Sequence, residues 1–283
     1  QSSGKFSLKE LFEKSINVFE MNNPTTLEDI AHYICRGGWP TSLMVDKEDS
    51  LEIADNYLTG IINYKSKDKN NYFHNPKYAE LIIRSFARNI STEAAYQTLL
   101  ADIKSSDNTS MDDETLTNYI EKLENLFVIE DLPAWNPNLR SKTVIRTTPT
   151  RHFVDTSIAC ASLGISPKDL LNDLNTFGLM FEDMVVRELR IYTQGYKGKI
   201  YHYRDKDGLE CDAVIQFRDG TFALVEVKLG GLADIEKACQ NLKNIFQNDY
   251  FRNLTKASLK PLFLKRSKIA LYSSWERGPI SIS

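Results

Sequence analysis

Two short stretches in the last third of the chain carry carboxylate and lysine side chains at a spacing suited to metal-dependent hydrolysis. The first stretch contains Asp212, and the second contains Glu226 and Lys228. Side chains two positions apart on a β-strand point to the same face, so Glu226 and Lys228 should be neighbours. The valines beside them predict a buried strand, where charges need partners or a metal ion. Carboxylate oxygens suit Mg²⁺ or Mn²⁺.

The turn between the two stretches decides whether Asp212 joins this pair. A three-residue loop that ends at Gly220 places Asp212 opposite Glu226 on the neighbouring strand. A two-residue loop would place Asp212 opposite Val227 and separate it from Glu226. We predict the three-residue loop, because glycine favours the left-handed conformation that such a loop requires.

A third carboxylate, Glu182, falls on a helix predicted over residues 175–192. Apolar residues share its side of that helix, namely Leu179, Val185, Val186 and Leu189. The same phase points Asp183 away from this face. Glu182 therefore either faces the strands as a third metal ligand or lies at the edge of the apolar face in an ion pair with an arginine.

These residues together could hydrolyse a phosphodiester. Asp212, Glu226 and Glu182 would bind the metal ion, and Lys228 would orient the attacking water or stabilise the pentavalent phosphorus. A structural salt bridge also explains a Glu-x-Lys pair, so the order of all four residues is what favours catalysis. Gln240, on a helix predicted over residues 233–246, is a candidate accessory residue or a surface residue.

Composition changes divide the chain into three predicted domains. Residues 1–72 form an N-terminal helical segment. Residues 73–157 contain three helices and a two-stranded wing, which predict a winged helix-turn-helix. Residues 158–283 contain a helix, three strands, a helix and a final strand, which indicates an α/β domain. The predicted fold class is therefore multi-domain α and α/β.

Local charge favours the wing over the helices for contact with nucleic acid. The helix that would enter a DNA groove is mostly acidic, which phosphates would repel. Residues 136–152 contain no acid, and their basic residues are the predicted nucleic-acid-binding set: Arg140, Lys142, Arg146 and Arg151. A winged helix that serves only as a rigid packing module is the alternative.

The whole-chain composition excludes some classes of protein. No apolar run approaches the roughly 18 residues that a membrane span needs, and the first residues lack the pattern of a secretory signal. We expect a cytoplasmic protein without membrane contact. Its cysteines stand far apart, so reduced, buried thiols are expected and a zinc site is not: Cys35, Cys160, Cys211 and Cys239. A net charge of −3 gives no global attraction to DNA.

The series Glu182, Asp212, Glu226 and Lys228 resembles the PD-(D/E)XK nuclease superfamily in its RecB-like form. This resemblance implies a restriction-endonuclease-like fold for residues 158–283, with metal-binding carboxylates and a catalytic lysine. Other stretches resemble the C-terminal half of uncharacterised bacterial AAA-type ATPases that end in such a nuclease-like domain. They are residues 36–40, 84–89, 119–124 and 153–155.

Members of that ATPase family begin with a Walker A loop, which contains a Gly-Lys pair. Gly4-Lys5 is not such a loop, because the earlier glycine and the strand that precede the pair in a Walker A motif are missing here. We therefore expect a C-terminal part of a longer protein, whose missing N-terminal domain would bind ATP and act as its partner. The expected function is Mg²⁺-dependent cleavage of DNA. The alternative is a catalytically degenerate nuclease fold that, with the winged helix, binds nucleic acid or protein for the ATPase. Transcription control through the winged helix ranks third.

Overall fold

The computed structural model describes residues 25–64, 72–107, 110–136, 148–218, 220–247, 258–263 and 269–275. The chain divides into two compact units. We call residues 25–131 and 148–187 the helical unit, and residues 132–136 with the described residues from 188 onward the sheet unit. Both predicted domain boundaries, near residues 72 and 157, fall inside the helical unit, and the division into three domains stays a prediction. Within the described ranges, no helix has the length and apolar character of a membrane span.

Short helices, most of them with a polar N-terminal cap, build the helical unit. Its helices are α1 Leu27–Arg36, α2 Glu52–Ile62, α3 Pro76–Arg88, α4 Tyr96–Asp107, α5 Asp113–Asn125, α6 Thr156–Leu163 and α7 Pro167–Asn172. Thr26 shows how the caps work, since its hydroxyl accepts the Asp29 N–H at 3.2 Å and the Asp29 carboxylate accepts the Thr26 N–H at 3.0 Å. Such reciprocal bonds satisfy donors that the first helical turn leaves open.

The predicted winged helix contains α3, α4 and α5 in the expected order, followed by one short pairing of extended segments. Ile129 and Phe153 form an antiparallel bridge. The Val154 N–H donates to the Val128 carbonyl at 3.2 Å and extends this pairing. Residues 137–147, which hold most of the predicted wing, lie outside the described residues.

The helix α8, Leu174–Gln194, carries an aspartate that the helical unit buries completely. Asp183 is 0% exposed, and its carboxylate accepts the Phe153 N–H at 2.9 Å and the Thr156 hydroxyl at 2.6 Å. The His152 Nδ1 lies 2.9 Å from the same carboxylate. The predicted helix phase, which pointed Asp183 away from the buried face, is wrong here. Apolar periodicity cannot reveal a polar pocket whose donors come from another segment.

Two glycines after α1 bring the chain against the start of α6. Gly37 has a φ of +75°, in the left-handed region that favours glycine. The Gly38 N–H donates to the Asp155 carboxylate at 2.8 Å, and the Trp39 indole N–H donates to the Ser157 hydroxyl at 2.9 Å. These bonds fasten the end of α1 to the first turn of α6.

Replacing Gly37 by alanine should lower the free energy of unfolding by roughly 2 kcal/mol. An added Cβ would overlap both Asp155 Oδ1 and Ser157 Oγ. Gly164 is the matched control, because its φ is +65° but nothing lies within 4 Å of an added Cβ. Gly164→Ala should therefore lower the free energy of unfolding by only about 1 kcal/mol, which is the cost of a left-handed backbone conformation for alanine. Urea denaturation measures both losses, and equal losses would contradict this account.

A five-stranded antiparallel sheet, in the order β1-β2-β3-β5-β4, forms the centre of the sheet unit. The strands are β1 Lys199–Arg204, β2 Glu210–Gln216, β3 Phe222–Val227, β4 Ser258–Phe263 and β5 Ile269–Trp275. The sequence predicted every strand except β4, which contains Pro261. Proline cannot donate to a strand ladder, so it argues against a strand except at a sheet edge, where β4 lies.

The hairpin between β2 and β3 has the predicted three-residue loop. Ala213 pairs with Val225, and the register continues without interruption towards the turn. The Phe217 N–H donates to the Thr221 carbonyl at 2.8 Å. Gly220 has a φ of +86°, which confirms the left-handed position at the end of the loop.

An apolar layer joins one face of this sheet to α9, Leu232–Gln247. Its buried members are Trp135, Tyr203, Cys211, Val214, Phe222, Leu224, Ala238, Cys239, Leu242, Ile245 and Phe246. The rings of Phe222 and Phe246 stack at 5.8 Å between centroids. This packing fixes α9 against β2 and β3, the two strands that carry the predicted site.

Candidate functional site

The hairpin brings Asp212, Glu226 and Lys228 together at one end of the sheet. Continuing the β2–β3 register by one pair places Asp212 opposite Glu226. The Lys228 ammonium lies 2.9 Å from the Glu226 Oε1 and 3.6 Å from the Asp212 Oδ2. The strand alternation and the loop length read from the sequence therefore lead to a real cluster of these three side chains.

A backbone hydrogen bond fixes the Asp212 carboxylate. Its Oδ2 accepts the Val227 N–H at 2.6 Å. Burial raises the pKa of the Asp212 carboxyl, while the nearby Lys228 charge and the Val227 N–H oppose this rise. The carboxylate is thus held rigidly beside Lys228 and has lost most of its contact with water.

Glu226 carries the strongest electrostatic conflict in this cluster. It is 5% exposed. Burial and the neighbouring Asp212 charge raise its pKa from 4.5 to about 7, although Lys228 works in the opposite direction. The buried Glu226 and the mostly buried Asp212 share one lysine, so an additional cation at this place would be stabilised.

Asn241 on α9 also belongs to this cluster, and the sequence did not predict its presence there. Its amide Nδ2 donates to the Glu210 carbonyl at 2.7 Å and lies 3.4 Å from the Glu226 Oε2. Gln240, the predicted accessory residue, is exposed and donates to Asn244 at 3.0 Å instead. Asn241 lies on the same face of α9 as the buried Ala238. A polar residue among the apolar positions of this face was the feature of the sequence that could have identified Asn241.

Glu182 lies half-buried on α8 within the helical unit, whereas the other three residues belong to the sheet unit. Its role as a third ligand stays a prediction. Among the described residues, no group of three or more histidine, cysteine or acidic side chains is arranged to hold a metal ion. Asp212 and Glu226 still fit Mg²⁺, which commonly binds through one or two carboxylates and completes its shell with water and substrate phosphate.

Arg151, one of the four residues predicted to bind nucleic acid, is buried and cannot form part of such a surface. Arg151 is 2% exposed, forms an ion pair with Asp131 and donates through Nε to the Ala94 carbonyl at 2.8 Å. Its guanidinium carbon also lies 4.9 Å from the centre of the Tyr96 ring. Arg151 therefore stabilises the interior of the helical unit. The other predicted residues, Arg140, Lys142 and Arg146, lie outside the described residues.

Comparison with known families gives two matches along the chain. Residues 27–169 match a family model described as a domain of unknown function, DUF8612. Residues 177–270 match a second one, DUF4143, a domain often found C-terminal to AAA ATPase domains. No curated protein and no solved structure matches the chain significantly. The second match contains all four predicted site residues: Glu182, Asp212, Glu226 and Lys228.

Proposed function

We propose that this chain, which belongs to the DUF8612 family of unknown function, cleaves phosphodiester bonds in DNA with Mg²⁺ or Mn²⁺. The observation that supports this proposal is the cluster in which the Lys228 ammonium lies 2.9 Å from Glu226 and 3.6 Å from Asp212. Two carboxylates largely removed from water beside one lysine destabilise the fold, so a purely structural strand end has no need of them. We assign residues 158–283 to a restriction-endonuclease-like fold on this basis.

Asp212 and Glu226 would hold the metal ion through their carboxylates. The ion, when bound, would activate a water molecule and neutralise charge on the phosphodiester. Lys228 is suited to act on the substrate side, because its side chain is 39% exposed while its ammonium stays anchored by both carboxylates. From there it can orient the water or stabilise the developing negative charge.

A catalytically degenerate interaction module is the second candidate. Two observations favour it over DNA cleavage: the described residues include no group of three histidine, cysteine or acidic side chains arranged to hold a metal ion, and the burial of Arg151 removes one predicted contact to DNA. In this alternative, residues 73–157 form a winged helix that, together with the sheet unit, binds nucleic acid or protein for an ATPase domain of the same protein. The three helices followed by the Ile129–Phe153 pairing support the winged helix.

A cleavage assay separates the two candidates. Wild type should cut single-stranded, duplex or branched DNA only when Mg²⁺ or Mn²⁺ is present. Asp212→Ala should lower the rate by roughly 10³-fold, about 4 kcal/mol of transition-state stabilisation. Equal cleavage by both proteins would identify a contaminant and remove the nuclease proposal. Binding of these DNAs without any ion-dependent cleavage would support the interaction module.

Asn241→Ala should weaken Mn²⁺ binding about 10-fold, since residues that orient metal ligands commonly contribute this much. The expected cause is the loss of the amide that lies 3.4 Å from the Glu226 carboxylate. Gln240→Ala is the matched control on the same helix, because Gln240 is exposed and bonds to Asn244. Calorimetric titration measures both affinities. A similar loss in both variants would mean that α9 as a whole, and not Asn241, supports the site.

A further inference from the structure

A cavity in the helical unit has two cysteines from distant parts of the chain in its wall. Its volume is about 250 Å³, and its lining includes Cys35 from α1, Asp55 from α2 and Cys160 from α6. Both cysteines carry free thiols and are otherwise buried. The cavity is thus a route by which a small molecule reaches two thiols that protein side chains otherwise cover.

The two thiols face the same cavity, and their side chains lie within hydrogen-bonding reach of each other. Contacts that do not involve sulfur hold this arrangement in place. The Gly38 N–H donates to Asp155 at 2.8 Å, and the Trp39 indole donates to Ser157 at 2.9 Å. These bonds fix the end of α1 against the first turn of α6, so the thiols are brought together before any reaction between them.

We propose that Cys35 and Cys160 form a redox-sensitive dithiol, which hydrogen peroxide entering the cavity oxidises to a disulfide between α1 and α6. This modification site is independent of the proposed DNA cleavage. The structure confirms the sequence-based expectation of buried, free thiols, and the proposal adds that two of them can react with each other. Their wide separation in the sequence gave no sign that two of them meet.

The chemistry proceeds in two balanced steps. The Cys35 thiolate attacks one peroxide oxygen, the O–O bond breaks, and hydroxide leaves and takes up a proton to become water. Cys160 then attacks the resulting sulfenic sulfur, the S–O bond breaks, and a second water leaves with the Cys160 proton. The two thiols lose two electrons in total, and one peroxide molecule is reduced to two waters.

The surroundings of Cys160 suit it to the second step. The hydrogen bond to Cys35, burial and the charges of Asp183 and Asp155 raise the pKa of Cys160 well above its ordinary value. Cys160 is therefore a thiol at neutral pH and a poor first nucleophile. The sulfenic acid formed on Cys35 is the electrophile that Cys160 attacks, and the hydroxyl that leaves takes up the Cys160 proton.

Peptide mapping of the peroxide-treated full chain tests the proposal. Digestion without reductant, followed by mass spectrometry, should give a peptide pair linked through Cys35 and Cys160, two hydrogens lighter than the separate peptides. The linked protein should melt several degrees higher than the reduced one, because the cross-link restricts the unfolded chain. Dithiothreitol should reverse both changes.

Three variants complete the test. Cys35→Ser and Cys160→Ser should each abolish the linked peptide and the increase in melting temperature. Cys239→Ser, which removes a buried thiol of the sheet unit, should retain both. Complete alkylation of Cys35 and Cys160 after peroxide treatment would overturn the proposal, and so would over-oxidation of Cys35 with Cys160 still a free thiol. The wild-type map decides the outcome even if a variant does not fold.

Discussion

Lys228→Gln is expected to cleave DNA roughly 10²-fold more slowly than wild type while binding Mn²⁺ at least as tightly. The ammonium lies 2.9 Å from Glu226 and 3.6 Å from Asp212, so it competes with a cation for the same carboxylates. Removing its charge favours the metal ion. The same change removes the group that would stabilise the developing charge on phosphorus, so binding and catalysis should change in opposite directions.

Lys237→Gln on α9 is the control for loss of one positive charge, because Lys237 is exposed. It should alter neither Mn²⁺ affinity nor the cleavage rate beyond experimental error. If Lys228→Gln weakened metal binding and cleavage by the same factor, Lys228 would be a structural partner of the carboxylates. An unchanged cleavage rate would exclude it from the mechanism.

Glu226→Gln should make the metal-free protein more stable than wild type above pH 7, by up to about 3 kcal/mol. The pKa of Glu226 is raised from 4.5 to about 7 in the folded protein. Between these two pH values the folded state holds a proton that the unfolded chain has released. Wild-type stability therefore falls as the pH rises through this window and stays low above it. The glutamine variant has no carboxyl group at position 226 and should not show the part of this fall that Glu226 causes.

Chemical denaturation across the pH range measures the effect. The two proteins should converge near pH 4.5, where Glu226 is increasingly protonated in both states. Glu236→Gln, which alters an exposed residue of α9, should follow the wild-type curve. Added Mn²⁺ should stabilise wild type and leave Glu226→Gln unaffected. Parallel pH curves for wild type and Glu226→Gln would show that Glu226 is not under electrostatic strain.

Local rules were enough to predict the core of the candidate site. Alternation along β3 placed Glu226 beside Lys228, and the loop that ends at Gly220 set the register that brings in Asp212. Both rules depend on residues close in the sequence. The hairpin is formed by neighbouring strands, so its geometry follows from one turn and two patterns.

Features that depend on distant partners could not be read in this way. Asp183 can be buried because hydrogen-bond donors from residues 152–156 surround its carboxylate. Arg151 can be buried because its guanidinium forms an ion pair with Asp131 and a hydrogen bond to the Ala94 carbonyl. The apolar periodicity of a helix or strand does not show where these partner groups lie. Asn241 was missed for a related reason: helix phase indicates a buried face, but it does not show which polar group lies opposite.

Calorimetric titration of Mn²⁺ into the full chain, compared with Asp212→Asn, tests the central claim most directly. Asparagine keeps the shape of the side chain and removes the charge that a metal ion requires. The proposed site predicts saturable binding to wild type and none to the variant. Identical titration curves for the two proteins would show that Asp212 holds no metal ion and would contradict the proposed function.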